Sequence, residues 1–206
     1  MKLFIGIDQS INSTGLCIKI YNNESLVKEH FYIITNKVTK KALKYSETLS
    51  NFDYIFYDKI EKSESNDNNQ FETNKLLNNI MITDKILEII HQNINTSLDK
   101  IYIGMEGVSY QSNQTKSLLD LAGLSTLIRY RIYKFFLTHK DHQGLLYIFT
   151  PSEIKKFVSG NGNCSKDTMI SLFKTRQKYI AQLPKIDDIA DAYWICTYFK
   201  ETNIDN

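Results

Sequence analysis

Four acidic side chains, far apart in the chain, carry the chemistry this sequence offers: Asp8, Glu106, Asp188 and Asp191. Asp8 closes the apolar run Lys2-Leu-Phe-Ile-Gly-Ile-Asp8, and Gln9-Ser-Ile-Asn-Ser-Thr-Gly15 follows at once. That pattern is a buried strand delivering a carboxylate into a tight turn, where the charge costs desolvation unless a cation meets it. Glu106 repeats the arrangement after Ile101-Tyr-Ile-Gly-Met105, with Gly107 leaving the backbone bare beside it. In Ile186-Asp-Asp-Ile-Ala-Asp191-Ala-Tyr-Trp194, Asp188 and Asp191 stand at i, i+3 on one helix face. Asp187 and Asp191, at i, i+4, would share a face equally well, so spacing leaves the partner of Asp191 open. Taken singly, each group has a plain structural explanation. Asp8 could be a turn former, Glu106 an exposed strand end, and the helical aspartates a complement to the helix dipole. Taken together, two sheet-borne and two helix-borne carboxylates would repel one another strongly unless divalent ions joined them. An all-oxygen donor set with no His or Cys nearby suits Mg²⁺, or Mn²⁺ in its place, rather than zinc. Two such ions about 4 Å apart can activate a water and stabilise a leaving oxygen in phosphodiester hydrolysis. A metal-dependent nuclease is therefore the expected chemistry.

Positioning those groups requires a sheet. Leu3–Asp8, Thr14–Ile20 and Ser25–Ile34 read as three strands joined by short turns, an antiparallel meander. Residues 35–69 break the regularity, beginning with Lys37, Lys40, Lys41 and Lys44, passing the apolar patch Phe52-Asp-Tyr-Ile-Phe-Tyr57 and ending in a polar run. This stretch is expected to be an insertion, an excursion from the core that is mobile at its end. Apolar residues then recur at helical spacing from Phe71 to Ile94. Lys100–Gly107 and Leu145–Phe149 read as strands four and five. Lys116–Leu137 is an amphipathic helix with Leu119, Ala122, Leu127 and Ile128 in its stripe, mostly core with part left for a dimer interface. Thr150 caps a helix that Pro151 begins, and further helices span Ser165–Lys178 and Asp187–Lys200. The order βββ-α-β-α-β-α predicts an α/β fold: a five-stranded mixed sheet, three antiparallel strands then two parallel, flanked by helices.

The bulk composition sets bounds. The 206 residues suffice for one ordinary domain with a proper core, taken as 1–206. A hydrophobic content of 42% with 12% aromatics fits a soluble globular protein. A net charge of +2 permits nucleic acid without demanding it, so any basic footprint must be local. Cys17, Cys164 and Cys196 form no CxxC and read as reduced thiols of a cytoplasmic protein. No apolar stretch reaches the ~20 residues of a membrane span, and Asp8 interrupts the amino-terminal apolar segment, which is not read as a signal peptide. The excess of Asn, Lys, Ile and Tyr reflects an AT-rich coding bias.

Basic groups offer weaker signals. Gly160-Asn-Gly-Asn163 leads to a helix amino terminus with Lys166 in its first turn, an arrangement that suits a phosphate but equally describes an ordinary Gly-rich turn. The Lys37–Lys44 run could grip DNA or simply be solvated. His139 and His142 have a conceivable ligand spacing and read as exposed bystanders.

The blocks Gly6-Ile-Asp-Gln-Ser-Ile-Asn-Ser-Thr-Gly15, Met105-Glu106, Ile154-Lys-Lys-Phe-Val-Ser-Gly-Asn-Gly-Asn-Cys-Ser-Lys166 and Asp188-Ile-Ala-Asp191-Ala occur in this order. With them the chain resembles the RuvC family of Holliday junction resolvases, in the RNase H-like superfamily. The composition and the middle insertion look more like a phage or viral version, which would act in the host-cell cytoplasm. The resemblance implies that Asp8, Glu106, Asp188 and Asp191 hold two Mg²⁺ ions, with Asp188 favoured over Asp187. It implies that Lys166 stabilises negative charge at the scissile phosphate and that Lys155 belongs to the DNA-binding face. It further implies a homodimer that makes paired incisions in four-way junctions and leaves 5′-phosphate and 3′-hydroxyl ends. Gln9 stands where a Pro is usual. Ser109 occupies the spacing of an aromatic that wedges into the junction, and the adjacent Tyr110 could take that role.

Other readings remain open on sequence alone. An RNase H-like nuclease could act on flaps, other branched DNA or RNA–DNA hybrids. A catalytically inactive junction-binding protein would share the blocks. The actin-like sugar kinases and ATPases also follow a Gly-Ile-Asp strand with a phosphate loop, but they need two such domains around a nucleotide and 206 residues cannot hold both.

Overall fold

The computed structural model describes residues 1–61, 68–95, 98–108, 115–139, 143–180, 183 and 186–202. Its sheet has strands β1 (Lys2–Asp8), β2 (Ser13–Asn22), β3 (Ser25–Thr35), β4 (Phe52–Phe56), β5 (Lys100–Glu106) and β6 (Gln143–Phe149). Their order is β4-β3-β2-β1-β5-β6. The first three strands form the expected antiparallel meander. β5 runs parallel to β1, and β6 runs parallel to β5.

The sheet therefore has six strands and not five. The additional one is β4, which lies parallel to β3 at one edge, inside the stretch expected to be an excursion. A helix, α1 (Lys40–Thr48), connects the two strands, as a parallel pair requires. Alternation explains why Phe52-Asp-Tyr-Ile-Phe folds this way: Phe52 and Tyr54 are buried against one face, with Asp53 between them.

The remaining helices are α2 (Asn68–Gln92), α3 (Thr115–Thr138), α4 (Pro151–Ser159), α5 (Lys166–Arg176) and α6 (Ile186–Thr202). Central strands covered on both faces read as continuous apolar runs, and the two faces separate by parity. Leu3, Ile5, Ile7, Ile101, Ile103 and Met105 join the core shared with α2 and α3. Phe4, Tyr102, Cys17, Phe31 and Phe149 join the opposite core, beneath α6 and α5. By the same alternation Gly6, Asp8, Gly104 and Glu106 belong to the α6 side.

Helix α6 is buried on nearly every side, from Ile189 through Trp194 and Ile195 to Phe199. It crosses the sheet at close range because glycines clear its path. A Cβ on Gly6 would meet the Ala192 carbonyl at 2.1 Å, and one on Gly15 would meet the Asp188 carbonyl at 2.2 Å. Polar ties help fix it in place. Lys19, buried beneath the helix, donates to Thr197 at 2.7 Å, while the Trp194 indole donates to the Met169 carbonyl of α5 at 3.1 Å. Among the described residues no helix is long and apolar enough to cross a membrane.

Candidate active site

The carboxylates meet because strand register and helix placement agree. Ile7 pairs with Met105, so the next residues, Asp8 and Glu106, end neighbouring parallel strands side by side on the α6 face. Asp8 also lies opposite Gly15 of β2, the glycine on which the start of α6 rests. That contact brings the first two turns of α6, with Asp188 and Asp191, over the ends of β1 and β5. Asp188 is 8% exposed and accepts a hydrogen bond from the Ser13 hydroxyl of β2. The Asp187 carboxylate lies 3.2 Å from Lys166 Nζ. Of the two aspartates that helical spacing leaves open, Asp188 is the one held against the sheet.

A third segment brings positive charge. At the end of β6, Thr150 caps α4 with a capping box, its side chain accepting from the Glu153 backbone, and Pro151 occupies the first turn. The helix stops at Gly160, which takes φ +76°, a left-handed conformation suited to a residue without a Cβ. The loop then reaches Ser165, whose hydroxyl caps α5, so that Lys166 opens that helix. A cleft of about 720 Å³ results, lined among others by Glu106, Asp191, Lys155, Lys166, Gly162 and Asn163. Lys166 Nζ lies 3.4 Å from Asp191 Oδ2. Of the residues singled out from sequence, Glu106, Asp191, Lys155 and Lys166 line this cleft, while Asp8 and Asp188 lie outside its lining, Asp8 within electrostatic reach of Asp191, Glu106, Asp188 and Lys166. Tyr110 and Ser109 lie outside the described residues.

The electrostatics follow from crowding. Burial pushes the Asp8 carboxyl well above its usual range, and Asp191, Glu106 and Asp188 add repulsion that Lys166 only partly offsets. Burial also lifts Glu106 to about 7, with Asp191 contributing and Lys155 and Lys166 opposing. Asp191 is raised by burial despite Lys166. Burial pulls Lys166 down, yet Asp191, Asp187 and Asp8 together hold its ammonium above the usual lysine value. This is an acidic cluster short of positive charge.

Among the described residues no three His, Cys, Asp or Glu side chains form a ready-made metal cage. The donor set nonetheless fits a hard divalent cation. It is all oxygen, its members are destabilised as anions by one another, and the nearest cation is a lysine that satisfies only part of the charge.

Three features of the site escaped the sequence reading. Ser13 orients Asp188. Gln9 donates from Nε2 to the Glu106 carbonyl at 2.6 Å. Gly6 and Gly15 set the depth of α6; glycine inside an apolar strand is a known sign that another backbone approaches, and it could have been used.

The strand order and helix placement define an α/β fold similar to that of RuvC. The RuvC structure of Thermus thermophilus superposes with a TM-score of 0.51 at 14% identity, covering 97% of this chain and 95% of that one. The T. thermophilus RuvC in complex with Holliday junction substrate gives 0.50 at 14% identity, covering 97% and 94%. Identities this low speak for the fold alone. In sequence, the crossover junction endodeoxyribonucleases RuvC of Dictyoglomus thermophilum and Dictyoglomus turgidum are each 29% identical over 105 residues, a match covering 43% of this chain. It spans 66% of those relatives, just under two thirds of their length. No family model matches the chain. The chain is RuvC-like in fold and, over that matched stretch, in sequence.

Proposed function

We propose that this chain is a structure-selective endodeoxyribonuclease that resolves four-way DNA junctions by paired, metal-dependent phosphodiester hydrolysis. The observation that carries the reading is the meeting of Asp8 and Glu106, at the ends of adjacent parallel strands, with Asp188 and Asp191 of the overlying helix, beside Lys166. That the T. thermophilus RuvC has been seen with a Holliday junction substrate supports branched DNA as the substrate class.

Asp8, Glu106, Asp188 and Asp191 would hold two Mg²⁺ ions, with Mn²⁺ able to substitute. Bound there, divalent ions supply Lewis-acid activation of the attacking water and charge neutralisation at the leaving oxygen. The chain's own groups do the rest. Lys166, at the amino terminus of α5, would move its ammonium from Asp191 and Asp187 to the non-bridging oxygens of the phosphate, countering charge in the transition state. Lys155, on the same wall, would hold a flanking phosphate. The nicks would carry 5′-phosphate and 3′-hydroxyl ends. We take the chain as one nuclease domain, residues 1–206, working in the cytoplasm.

Paired incision calls for paired sites, and α3 supports a homodimer. Leu119, Gly123, Thr126, Tyr130, Tyr133 and Leu137 recur at alternating intervals of four and three along its exposed side. Leu119 is 67% exposed and Tyr133 61%. This seam has coiled-coil spacing, and a second copy related by a two-fold axis would cover it.

A panel of four-way, three-way, flap and RNA–DNA hybrid substrates, with and without Mg²⁺, tests the reading. Preferential symmetric nicking of the four-way junction supports it. Preference for flaps or hybrids would reassign the enzyme to another RNase H-like activity, and binding without cleavage would make it an architectural protein.

A further inference from the structure

The β1–β5 pairing ends at Ile7 and Met105, one residue short of the two carboxylates. Beyond Asp8 the chain turns away from β5 into a loop closed on itself: Ser10 N–H donates to Thr14 Oγ1 at 3.2 Å, and that hydroxyl donates to the Ser10 carbonyl at 2.8 Å. The registered pairs of β1 and β5 stop before the Glu106 carbonyl. The Gln9 side chain reaches that carbonyl, with Nε2 2.6 Å from it. On the other flank, Gly107 N–H donates to the Phe149 carbonyl of β6 at 2.7 Å. The backbone around Glu106 is thus held from both flanks, and on the Asp8 side the Gln9 amide takes part.

That amide is an odd choice for stability. Gln9 is only 7% exposed, and its Oε1 is buried with no hydrogen-bond partner among the described residues. A buried unpaired acceptor costs desolvation that an apolar chain of similar length would not incur. The return must lie in where Nε2 holds Glu106.

We propose that Gln9 is a positioning residue for the Asp8–Glu106 pair, fixing the end of β5 against the end of β1 so that the two carboxylates are presented together to a divalent cation. The inference rests on the nuclease reading and adds to it a residue that touches neither ion nor DNA. Supporting groups of this kind typically change metal affinity or activity about 10- to 100-fold when removed.

The test uses the full chain as wild type, Gln9→Met and Gln9→Asn. Mn²⁺ binding is followed by electron paramagnetic resonance, and thermal unfolding and steady-state junction cleavage are measured alongside. Gln9→Met keeps the length without the donor or the orphaned oxygen, and Gln9→Asn keeps the amide but withdraws it by one methylene. The expected result is Mn²⁺ affinity weakened about tenfold or more, kcat reduced to match, KM for the junction unchanged, and Gln9→Met no less thermostable than wild type. Should Gln9→Met fail to fold, Gln9→Asn is read by the same criteria. Wild-type Mn²⁺ affinity and kcat in a folded variant would overturn the proposal, as would a loss of thermostability with both retained. A wild-type chain that neither binds Mn²⁺ nor cleaves branched DNA would instead remove the nuclease reading, and the proposal with it.

Discussion

Lys166 Nζ and Asp191 Oδ2 stand 3.4 Å apart, and the same ammonium is 3.2 Å from Asp187 Oδ2. That lysine, with Lys155 acting on Glu106 and Asp191 as well, answers for a cluster in which Asp8, Glu106 and Asp191 are all pushed up. Under the proposed function the ammonium would stabilise the acidic cluster alone and turn to a phosphate once cations take over that work.

Replacing Lys166 separates the two duties. Lys166→Ala should lower the single-turnover cleavage rate about 100-fold, the scale seen when one preorganised charge-stabilising group is lost. Junction affinity measured in Ca²⁺ should change far less. An affinity loss with the rate intact would reduce Lys166 to a backbone contact.

The pH dependence of stability has a definite sign. Glu106 titrates at an ordinary 4.5 when unfolded and at about 7 in the fold. Between those values the folded state holds more protons, so stability from this group is present below pH 4.5 and is lost as pH rises to about 7. Asp8 and Asp191 act in the same direction. The difference in Tm between wild type and Glu106→Gln, followed from pH 4 to 8 in EDTA, should turn against the wild type as pH rises. Mg²⁺ should flatten the trend. A difference that moves in the wild type's favour in EDTA would contradict the crowded-carboxylate picture.

Gly15→Ala tests the placement of α6. The new Cβ would lie 2.2 Å from the Asp188 carbonyl, against backbone that cannot rotate aside. Overpacking of this kind typically costs about 1–3 kcal/mol, and the displaced helix should carry Asp188 away from Asp8. Lower Tm together with weaker Mn²⁺ binding is expected; unchanged binding would mean that the helix position does not control the site.

The α3 seam can be broken without touching the carboxylates. Tyr130→Glu combined with Tyr133→Glu places charge on exposed positions and should convert a dimer to a monomer in light scattering. The monomer should still nick, but without pairing its incisions. A double variant that remains dimeric would move the interface elsewhere.

Much of this was legible in the chain because buried strands announce themselves. The runs ending in Asp8 and Glu106 read directly as covered strands, and Thr150-Pro151 marks the start of α4 with local chemistry alone. Phe52–Phe56 reads as a patch in an excursion because five residues between a lysine-rich helix and a polar run show no strand by themselves. Their register comes from β3, a partner fixed only in three dimensions. The choice between Asp187 and Asp188 had the same difficulty. Helical spacing allows both, and what distinguishes them is the contact of Asp188 with Ser13 and Gly15, residues remote in the chain. Leu119 shows the limit of periodicity in another way: it lies on an apolar stripe yet faces outward, since spacing defines a helix face without naming what covers it.

The most direct test is cleavage of a mobile four-way junction in Mg²⁺, with incision positions mapped, by wild type and by Asp8→Asn. Wild type should place symmetric nicks in opposing strands that ligase can seal, while Asp8→Asn should bind the junction with full affinity and cut nothing. Undiminished nicking by Asp8→Asn would remove the carboxylate cluster from the chemistry.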